Sequence, residues 1–509
     1  MIKKFISLFL ITFFMPHWIS AETNEENERK WQDETIYYIM VDRFNNGDIK
    51  NDFNVNAKNP ESYQGGDFQG IIDKLDYLKD MGFTTLMLTP IFNNEENGYH
   101  GYWINDFYNT EDHFGSLKTF KRLIKEAHNR DMKIILEFPS NNIGPNHPWL
   151  KDSKKRDWLR GSMEHKGIGE NTKENEFSNL PEINKKNPEV QKYLIDVAKW
   201  WIAETDIDGF QLNLTQNEPE IFWGEFSKEV YESKDDFYLI AGTVPSDLNA
   251  DKYEKMGMKS LINDSFSNEL RSAFSKPDQS FENLFVNQNQ SELSEKSPYL
   301  MGKYMDNPHT PRFTSGAVKN NQHPGPRWKL ALTYLYTTPG VPIVYYGSEI
   351  ALNGEEEPNN RKIMDFRTDK ELIDFITKLG ELRQQLPSLS KGTMEVLYKD
   401  DSAAVYKRVY NDEVTVTVIN NSSQSTAITL SAEELGGKDK ELRGLLAGDL
   451  VRPKDNKYIF VPDREESEIY ILKGKTGLNI PLILSLTAVY TAFIVFIIAL
   501  RKRAKKKRS

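Results

Sequence analysis

The residues of this chain that bear most directly on chemistry lie at the end of one predicted strand, between Asp206 and Asn213. Ionised or protonated carboxyl groups are common nucleophiles, acids and bases in proteins. Here the strand ends on two amides, Gln211 and Asn213. An amide nearly has the shape of a carboxylate, but it carries no charge and is a very poor nucleophile. The end of the strand therefore lacks the ionisable group that acid–base chemistry would require there.

Short apolar runs alternate with helical patterns along most of the chain. The predicted strands are Ile36 to Val41, Thr84 to Leu88, Lys133 to Phe138, Gly209 to Leu214, Tyr238 to Ala241 and Pro342 to Tyr346. The predicted helices are Gln69 to Met81, Ser116 to Asn129 and Asn187 to Glu204. This alternation predicts an α/β fold, a (β/α)8 TIM barrel, whose working residues lie at the carboxyl ends of its strands.

Two changes of pattern divide the chain into regions. Residues 139–186 are polar and too long for an ordinary loop, so we expect a subdomain inserted after strand 3 of a barrel formed by 32–138 and 187–385. From residue 386 the pattern becomes alternating, which predicts a C-terminal antiparallel β domain over 386–474.

The two ends of the chain predict export and a membrane tether. Residues 1–21 combine two lysines with a short apolar run and small residues, which is typical of a signal peptide rather than a buried helix. Residues 480–500 are apolar and uncharged, which predicts a C-terminal transmembrane helix. The basic residues of 501–509 follow directly, so we interpret them as a cytoplasmic tail and not as a nucleic-acid patch. We therefore expect a single-pass protein of the cell membrane with an extracellular body.

The charge distribution excludes one class of partner. The formal net charge is −10, and removing the two lysines of 1–21 and the seven basic residues of 501–509 leaves −19 on the body. An acidic surface argues against nucleic acid and suits a neutral ligand or metal cations. The chain has no cysteine, so no disulfide stabilises the exported body.

Ordered motifs over residues 32–475 resemble the α-amylase superfamily, glycoside hydrolase family 13. The segments that carry the resemblance are Ile36 to Phe44, Gly65 to Gly70, Tyr99 to Trp103, Gly209 to Asn213, Asp306 to Phe313 and Thr338 to Gly347. The resemblance implies a barrel enzyme that retains anomeric configuration by means of two facing carboxyl groups, with a third carboxylate holding the sugar.

By this resemblance, none of the three catalytic carboxylate positions holds a carboxylate. The nucleophile position is Asn213, the acid/base position is Gly242 and the third position is His309. A register shift of one residue would put Thr243 at the acid/base position, which also cannot protonate a leaving oxygen. Near them, Glu137 replaces the family's aspartate and Asn142 its histidine, whereas Asn141 matches. The member is degenerate at its catalytic positions.

Two hypotheses about function follow. The first is an inactive, membrane-anchored protein that binds α-glucan or acts as a scaffold or partner subunit for another envelope protein. The alternative is an active α-amylase-type hydrolase of α-1,4-glucans that uses relocated carboxylates, for which Glu137, Asp208 and Asp306 lie nearby. Strand alternation directs Asp208 and Asn213 to opposite faces, which favours the inactive interpretation.

The resemblance also implies sugar-binding and metal-binding residues. His100 and Tyr102 match residues that line the innermost sugar subsite, or they are packing residues of the barrel rim. A structural Ca²⁺ loop of bacterial relatives is matched by six residues: Asn46, Asp48, Asn51, Asp52, Gly65 and Asp67. These supply the oxygen ligands that calcium prefers, although such residues are also common in turns. A second calcium site, with Asn141, Glu182 and the Asn217 carbonyl, stays open.

Overall fold

The computed structural model describes residues 29–160, 180–214, 219–244, 250–285, 298–475 and 480–506. The predicted signal peptide over 1–21 lies outside the described residues, as does 161–179 of the predicted inserted subdomain.

The strands are numbered in chain order. They are β1 Ile36–Ile39, β2 Thr85–Leu88, β3 Phe92–Asn94, β4 Ile104–Thr110, β5 Lys133–Phe138, β6 Leu159–Arg160, β7 Glu182–Ile183, β8 Gly209–Asn213, β9 Tyr238–Val244, β10 Ser260–Asn263, β11 Gly302–Tyr304, β12 Val341–Tyr345, β13 Thr393–Lys399, β14 Ala403–Tyr410, β15 Glu413–Asn420, β16 Ile428–Ser431, β17 Lys440–Gly444, β18 Leu450–Val451, β19 Lys457–Phe460 and β20 Glu466–Gly474.

Eight of these strands close into a barrel in the order β1, β12, β11, β10, β9, β8, β5, β2. Adjacent strands are parallel, as in the β5–β8 and β8–β9 pairs. The predicted TIM barrel is therefore confirmed. All six predicted strands belong to the barrel, with ends that differ by at most three residues. The remaining two, Ser260–Asn263 of β10 and Gly302–Tyr304 of β11, lack the run of apolar residues that marks the other barrel strands.

The helices are also numbered in chain order. They are α1 Val41–Phe44, α2 Phe68–Ile72, α3 Leu75–Asp80, α4 Leu117–His128, α5 Pro188–Thr205, α6 Glu220–Ser233, α7 Ala250–Lys255, α8 Asp264–Phe274, α9 Phe313–Lys319, α10 Pro324–Thr337, α11 Glu371–Gln385, α12 Pro387–Lys391 and α13 Ile480–Lys506. Short 3₁₀ helices lie at Trp31–Asp33, Ile49–Asn51, Pro148–Lys151, Ser153–Trp158, Pro298–Leu300, Ser348–Ile350 and Glu433–Leu435.

Local capping explains where the predicted helices begin. The Ser116 side chain accepts a hydrogen bond from the Thr119 amide at the start of α4, and Asn187 accepts one from Glu189 at the start of α5. The prediction of one helix over Gln69 to Met81 is wrong in detail, because Asp73 and Lys74 separate α2 from α3.

The region after β5 contains little regular structure among its described residues. The strands β6 and β7 form a two-stranded antiparallel pair, and two 3₁₀ helices precede it. A second hairpin, β3 with β4, follows β2 and was not predicted from the sequence.

The C-terminal region is an antiparallel β domain, as predicted. Its main sheet has the order β13, β14, β15, β20, β17, β18, and β16 pairs with β19. The buried Arg408 of β14 connects this region to the carboxyl end of α10, which the buried Arg383 of α11 also contacts. Arg408 donates to the Thr337 carbonyl over 2.6 Å, and Arg383 donates to the Tyr336 carbonyl over 3.1 Å. These cations satisfy carbonyl groups that a helix end leaves without intrahelical partners.

The last helix, α13, contains one segment long and apolar enough to cross a bilayer. This segment is Leu484–Arg503, with a mean hydropathy of 2.0. It overlaps the predicted span of 480–500.

A buried histidine makes stability depend on pH. His147 is 2% exposed, and its Nδ1 accepts a hydrogen bond from the Trp149 amide over 3.1 Å. Burial, together with the nearby Lys155 ammonium, lowers its pKa to about 4. The folded protein thus favours neutral imidazole, whereas the unfolded chain protonates near the ordinary value of about 6.5.

We expect the free energy of unfolding to lose up to about 3 kcal/mol from this group as pH falls from about 6.5 towards 4. The variant His147→Asn keeps a capping acceptor and should flatten that slope, measured by urea unfolding at several pH values. His323→Asn is the matched control, because exposed His323 caps α10 through the same Nδ1-to-amide bond over 3.2 Å. An unchanged slope in His147→Asn would contradict the assignment.

Candidate active site

A buried glutamate lies at the centre of the site. Glu137 is the next-to-last residue of β5, at the carboxyl end of the barrel, and is 1% exposed. Its Oε2 accepts hydrogen bonds from the Tyr38 hydroxyl over 2.6 Å and the Tyr102 hydroxyl over 3.0 Å. Its Oε1 accepts one from the Asn213 side-chain amide over 2.5 Å. Three donors from three segments therefore converge on one carboxyl group.

Burial determines the protonation behaviour of this carboxyl. Desolvation raises the pKa of Glu137, and this outweighs the opposing effects of His309 and of the donors Tyr38, Asn213 and Tyr102. A carboxyl group with a raised pKa is suited to proton donation.

The three family positions identified from the sequence all lie at this end of the barrel. Asn213 ends β8, and its Oδ1 accepts a hydrogen bond from the Gln211 Nε2 over 2.6 Å. Gly242 pairs with Asn213 in the neighbouring strand. A Cβ atom at Gly242 would lie 1.9 Å from the Gln211 Nε2, so Gln211 fills the space that any side chain at 242 would need. The side chain of Gln211 and the absence of a side chain at Gly242 therefore fit each other.

His309 occupies the third family position and connects two carboxyl groups. Its Nε2 lies 3.2 Å from the Tyr102 hydroxyl, which in turn donates to Glu137. Its Nδ1 lies 3.3 Å from the Glu357 Oε1, and Arg361 contacts the same oxygen over 2.8 Å. The His309 side chain is 29% exposed, so it lies at the accessible edge of this network.

The other two nearby acids have structural partners instead. Asp208 precedes β8 and pairs with His128 over 2.8 Å and Lys234 over 2.9 Å, at the amino end of the strand. Asp306 is 1% exposed and pairs with Arg271 over 3.1 Å. Of the three acids considered from the sequence, only Glu137 belongs to the site.

Two acidic residues near the site were missed from the sequence. Glu357 lies in a loop far along the chain, and no local pattern marks it. Asp264 begins α8 directly after β10, and the Tyr304 hydroxyl donates to it. Burial raises the pKa of Asp264, with the His309 charge acting in the opposite direction. Recognition of the short strand β10 would have been needed to place Asp264 at the barrel end.

The predicted sugar-contacting pair is almost entirely buried in this structure. Tyr102 and His100 are each 2% exposed, and the His100 Nδ1 accepts a hydrogen bond from the Tyr102 amide over 3.1 Å. Tyr102 thus donates its hydroxyl to Glu137, and His100 accepts a hydrogen bond from the backbone of Tyr102.

The predicted calcium loop is assembled in part. The Asn46 amide donates to both Asp52 carboxylate oxygens, over 3.0 and 2.9 Å. A Cβ at Gly65 would lie 2.6 Å from Asn46 and 2.9 Å from Asp52, so the Gly65 backbone closes over this pair. Asp67 accepts from the Gly47 and Asp48 amides over 3.1 and 2.7 Å and clamps the loop backbone.

The loop therefore brings Asn46, Asp52, Gly65 and Asp67 together. Among the described residues, no group of three or more His, Asp or Glu side chains is arranged to hold a metal. Calcium also accepts amide and carbonyl oxygens as ligands.

The side chains of the second candidate calcium site, Asn141 and Glu182, are bonded to other residues. The Lys185 ammonium donates to the Asn141 Oδ1, and the Asn141 amide donates to the Asn213 carbonyl over 2.5 Å. Glu182 pairs with Arg160 over 2.8 Å. Asn217 lies outside the described residues. A lysine cation therefore already occupies the position beside Asn141.

Solved structures of amylases resemble this chain over most of its length. An Anoxybacillus alpha-amylase is 52% identical with a TM-score of 0.83, covering 89% of this chain and 100% of that one. An alpha-amylase from Geobacillus thermoleovorans, complexed with acarbose, is 47% identical with a TM-score of 0.81, covering 88% and 100%. A cyclomaltodextrinase from Thermoanaerobacter pseudethanolicus is 31% identical over 459 residues, which is 85% of this chain and 75% of that enzyme.

These relatives contradict the prediction of an inactive binding or scaffold protein, which is corrected here. Proteins up to 52% identical over nearly the whole body are named as amylases, and they support the alternative of an active glycoside hydrolase. The prediction was based on the three family positions and on strand alternation. It named Glu137 as a nearby carboxyl group without placing it, and the barrel buries that group beside Asn213.

Two family models account for both regions of the body. The model of the alpha-amylase catalytic domain matches residues 38–381, and that of the alpha-amylase C-terminal domain matches residues 392–470. The chain belongs to the α-amylase family.

Proposed function

We propose that this protein is a glycoside hydrolase that acts on α-1,4-glucans. The observation that carries the proposal is the buried Glu137 at the carboxyl end of the barrel, where enzymes of this fold hold their active sites. Its relatives support the substrate class, since one of them binds acarbose and another is named cyclomaltodextrinase. Gln211 adds a buried acceptor, because its Oε1 has no hydrogen-bond partner among the described residues and suits a sugar hydroxyl.

Hydrolysis in this chain must use groups other than those of a carboxylate triad at 213, 242 and 309. In the proposed reaction, Glu137 donates its proton to the glycosidic oxygen as the bond to the anomeric carbon breaks. A sugar oxygen reaches Oε1 by replacing the Asn213 amide, which is the half-buried donor on the open side. The attacking water replaces the Tyr102 hydroxyl at Nε2 of His309, while the His309 Nδ1–H donates to Glu357. His309 takes a proton from that water at Nε2 as the water oxygen attacks the anomeric carbon. The proton that Glu137 loses returns from solvent.

This reaction has one displacement and no covalent intermediate, because Asn213 cannot serve as a nucleophile. A single displacement inverts the anomeric centre. We therefore expect the first product of maltooligosaccharide cleavage to be the β-anomer, as observed by ¹H NMR before mutarotation. An α-anomer would show a double displacement and would exclude the proposed role of water.

Glu137 provides the sharpest test of the catalytic assignment. We expect Glu137→Gln to lower kcat/KM for starch and maltoheptaose by ~100-fold or more, as loss of a general acid does. The matched control is Glu349→Gln. Glu349 is also a fully buried glutamate bonded to tyrosines, to Tyr37 over 2.5 Å and Tyr77 over 3.3 Å, but it lies outside the site.

Equal losses of kcat/KM in Glu137→Gln and Glu349→Gln would mean that the introduced amide acts on the fold and not on catalysis. No release of reducing ends by the wild-type protein would overturn the proposed function itself.

The proposal includes a structural calcium ion in the loop of Asn46, Asp48, Asn51, Asp52, Gly65 and Asp67. Its support is the approach of Gly65 to Asn46 and Asp52, which a side chain at 65 would prevent. A bound ion would neutralise the carboxylates of the loop and link it to the start of α2, which Asp67 caps.

Chelation should test this metal assignment directly. An ion bound only by the folded protein stabilises it, so we expect excess EDTA to lower Tm by several degrees and added Ca²⁺ to restore it. Asp52→Asn should weaken the response, whereas Asp76→Asn, at an exposed position of α3, should leave it unchanged. An unchanged Tm on chelation of wild-type protein would contradict the calcium site.

The proposed location is the outer face of the cell membrane, with α13 as a single span. The apolar segment Leu484–Arg503 and the basic residues after it support this orientation. The signal peptide over 1–21 is part of the same proposal.

A further inference from the structure

The C-terminal β domain ends very close to the proposed membrane span. The last strand, β20, ends at Gly474, and α13 begins at Ile480. At no more than about 3.6 Å per residue, the chain between them spans about 20 Å at most. The end of the domain from which the chain leaves must therefore lie near the membrane surface.

That end of the domain is formed by the turn before β17, the turn between β18 and β19, and the end of β20, which lie close together. Lys440 of β17 pairs with Gly474 of β20, and the Lys475 amide donates to the Asp439 carbonyl over 3.0 Å. The Tyr458 hydroxyl donates to the Lys440 carbonyl over 3.0 Å, which brings the turn between β18 and β19 to the same place. In that turn, the Lys454 amide donates to the Lys457 carbonyl over 2.9 Å.

Lysines predominate on these turns, although the body as a whole is strongly acidic. We define the exit surface as five exposed lysines: Lys438, Lys440, Lys454, Lys473 and Lys475. The same turns carry two exposed acids, Asp439 and Asp455. Within the described part of the chain, none of the five lysines forms an ion pair. Glu441, which is buried beneath them, is matched by Arg443 over 2.8 Å and Arg452 over 3.0 Å.

We propose that the exit surface binds the anionic headgroups of the membrane that holds α13. Among the described residues these lysines have no ion-pair partner although the body is acidic, and clustered lysines are attracted to anionic lipid over a Debye length of about 10 Å. The tether, which spans about 20 Å at most, lets the exit surface come within that distance of the bilayer. The contact would fix the orientation of the body over the bilayer. This inference rests on the proposed membrane span.

Lysine labelling of the full chain in nanodiscs tests the surface. The protein is reconstituted in phosphatidylcholine nanodiscs with and without phosphatidylglycerol, pulsed with an acetylating reagent, and read by peptide mass spectrometry. We expect the exit-surface lysines to react at least ~3-fold more slowly in the anionic discs, with the difference lost at 1 M salt. Lys58 and Lys118, exposed lysines of the barrel region without ion pairs among the described residues, are the internal controls.

Charge reversal supplies a second measurement. Lys438→Glu with Lys440→Glu should remove the protection of Lys454, Lys473 and Lys475, whereas Lys58→Glu with Lys118→Glu should leave it intact.

Equal labelling rates in both kinds of disc, with the protein inserted, would overturn the surface and leave the span standing. Protection in neutral discs on addition of inorganic phosphate would assign the surface to a soluble anion and overturn the lipid assignment. Failure of the chain to enter nanodiscs would overturn both the span and the surface that depends on it.

Discussion

The site depends on one buried carboxyl group held by three hydrogen-bond donors. Glu137 is placed by β5, and its donors come from β1, from the segment before β4 and from the end of β8. A carboxyl group in such a position is costly to bury unless its oxygens are satisfied. The tyrosines Tyr38 and Tyr102 and the amide Asn213 satisfy them. Asn213 therefore contributes a donor where a carboxylate would repel Glu137.

Two buried glutamates, Glu137 and Glu349, lie on opposite faces of strand β1 and have different roles. Tyr37 and Tyr38 are adjacent in β1, so their side chains point to opposite faces. Tyr38 binds Glu137 inside the barrel, whereas Tyr37 binds Glu349 outside it. Both glutamates have a raised pKa because of burial. Access to solvent through the half-buried Asn213 and the partly exposed His309 is what distinguishes the carboxyl that we assign to catalysis.

The larger elements could be predicted from sequence because their signals are local. Six of the eight barrel strands, the helix starts at Ser116 and Asn187, and the alternating C-terminal strands are all present. What could not be predicted depends on contacts between distant residues. The approach of Glu357 to His309, the packing of Gln211 into the space at Gly242, and the Lys185 cation beside Asn141 leave no trace in residue spacing. The inference of inactivity failed because residue spacing does not show that Glu137, one of the three nearby acids, is held beside Asn213.

A structure of the wild-type protein with a bound maltooligosaccharide would test the account most directly. The account predicts that the linkage oxygen between two glucose rings lies within hydrogen-bond distance of the Glu137 carboxyl, at about 3 Å. It also predicts that the Asn213 amide has moved from Oε1 to the sugar. A sugar bound beside Asn213 and His309, with Glu137 still enclosed by Tyr38, Tyr102 and Asn213, would contradict the assignment of Glu137 to catalysis.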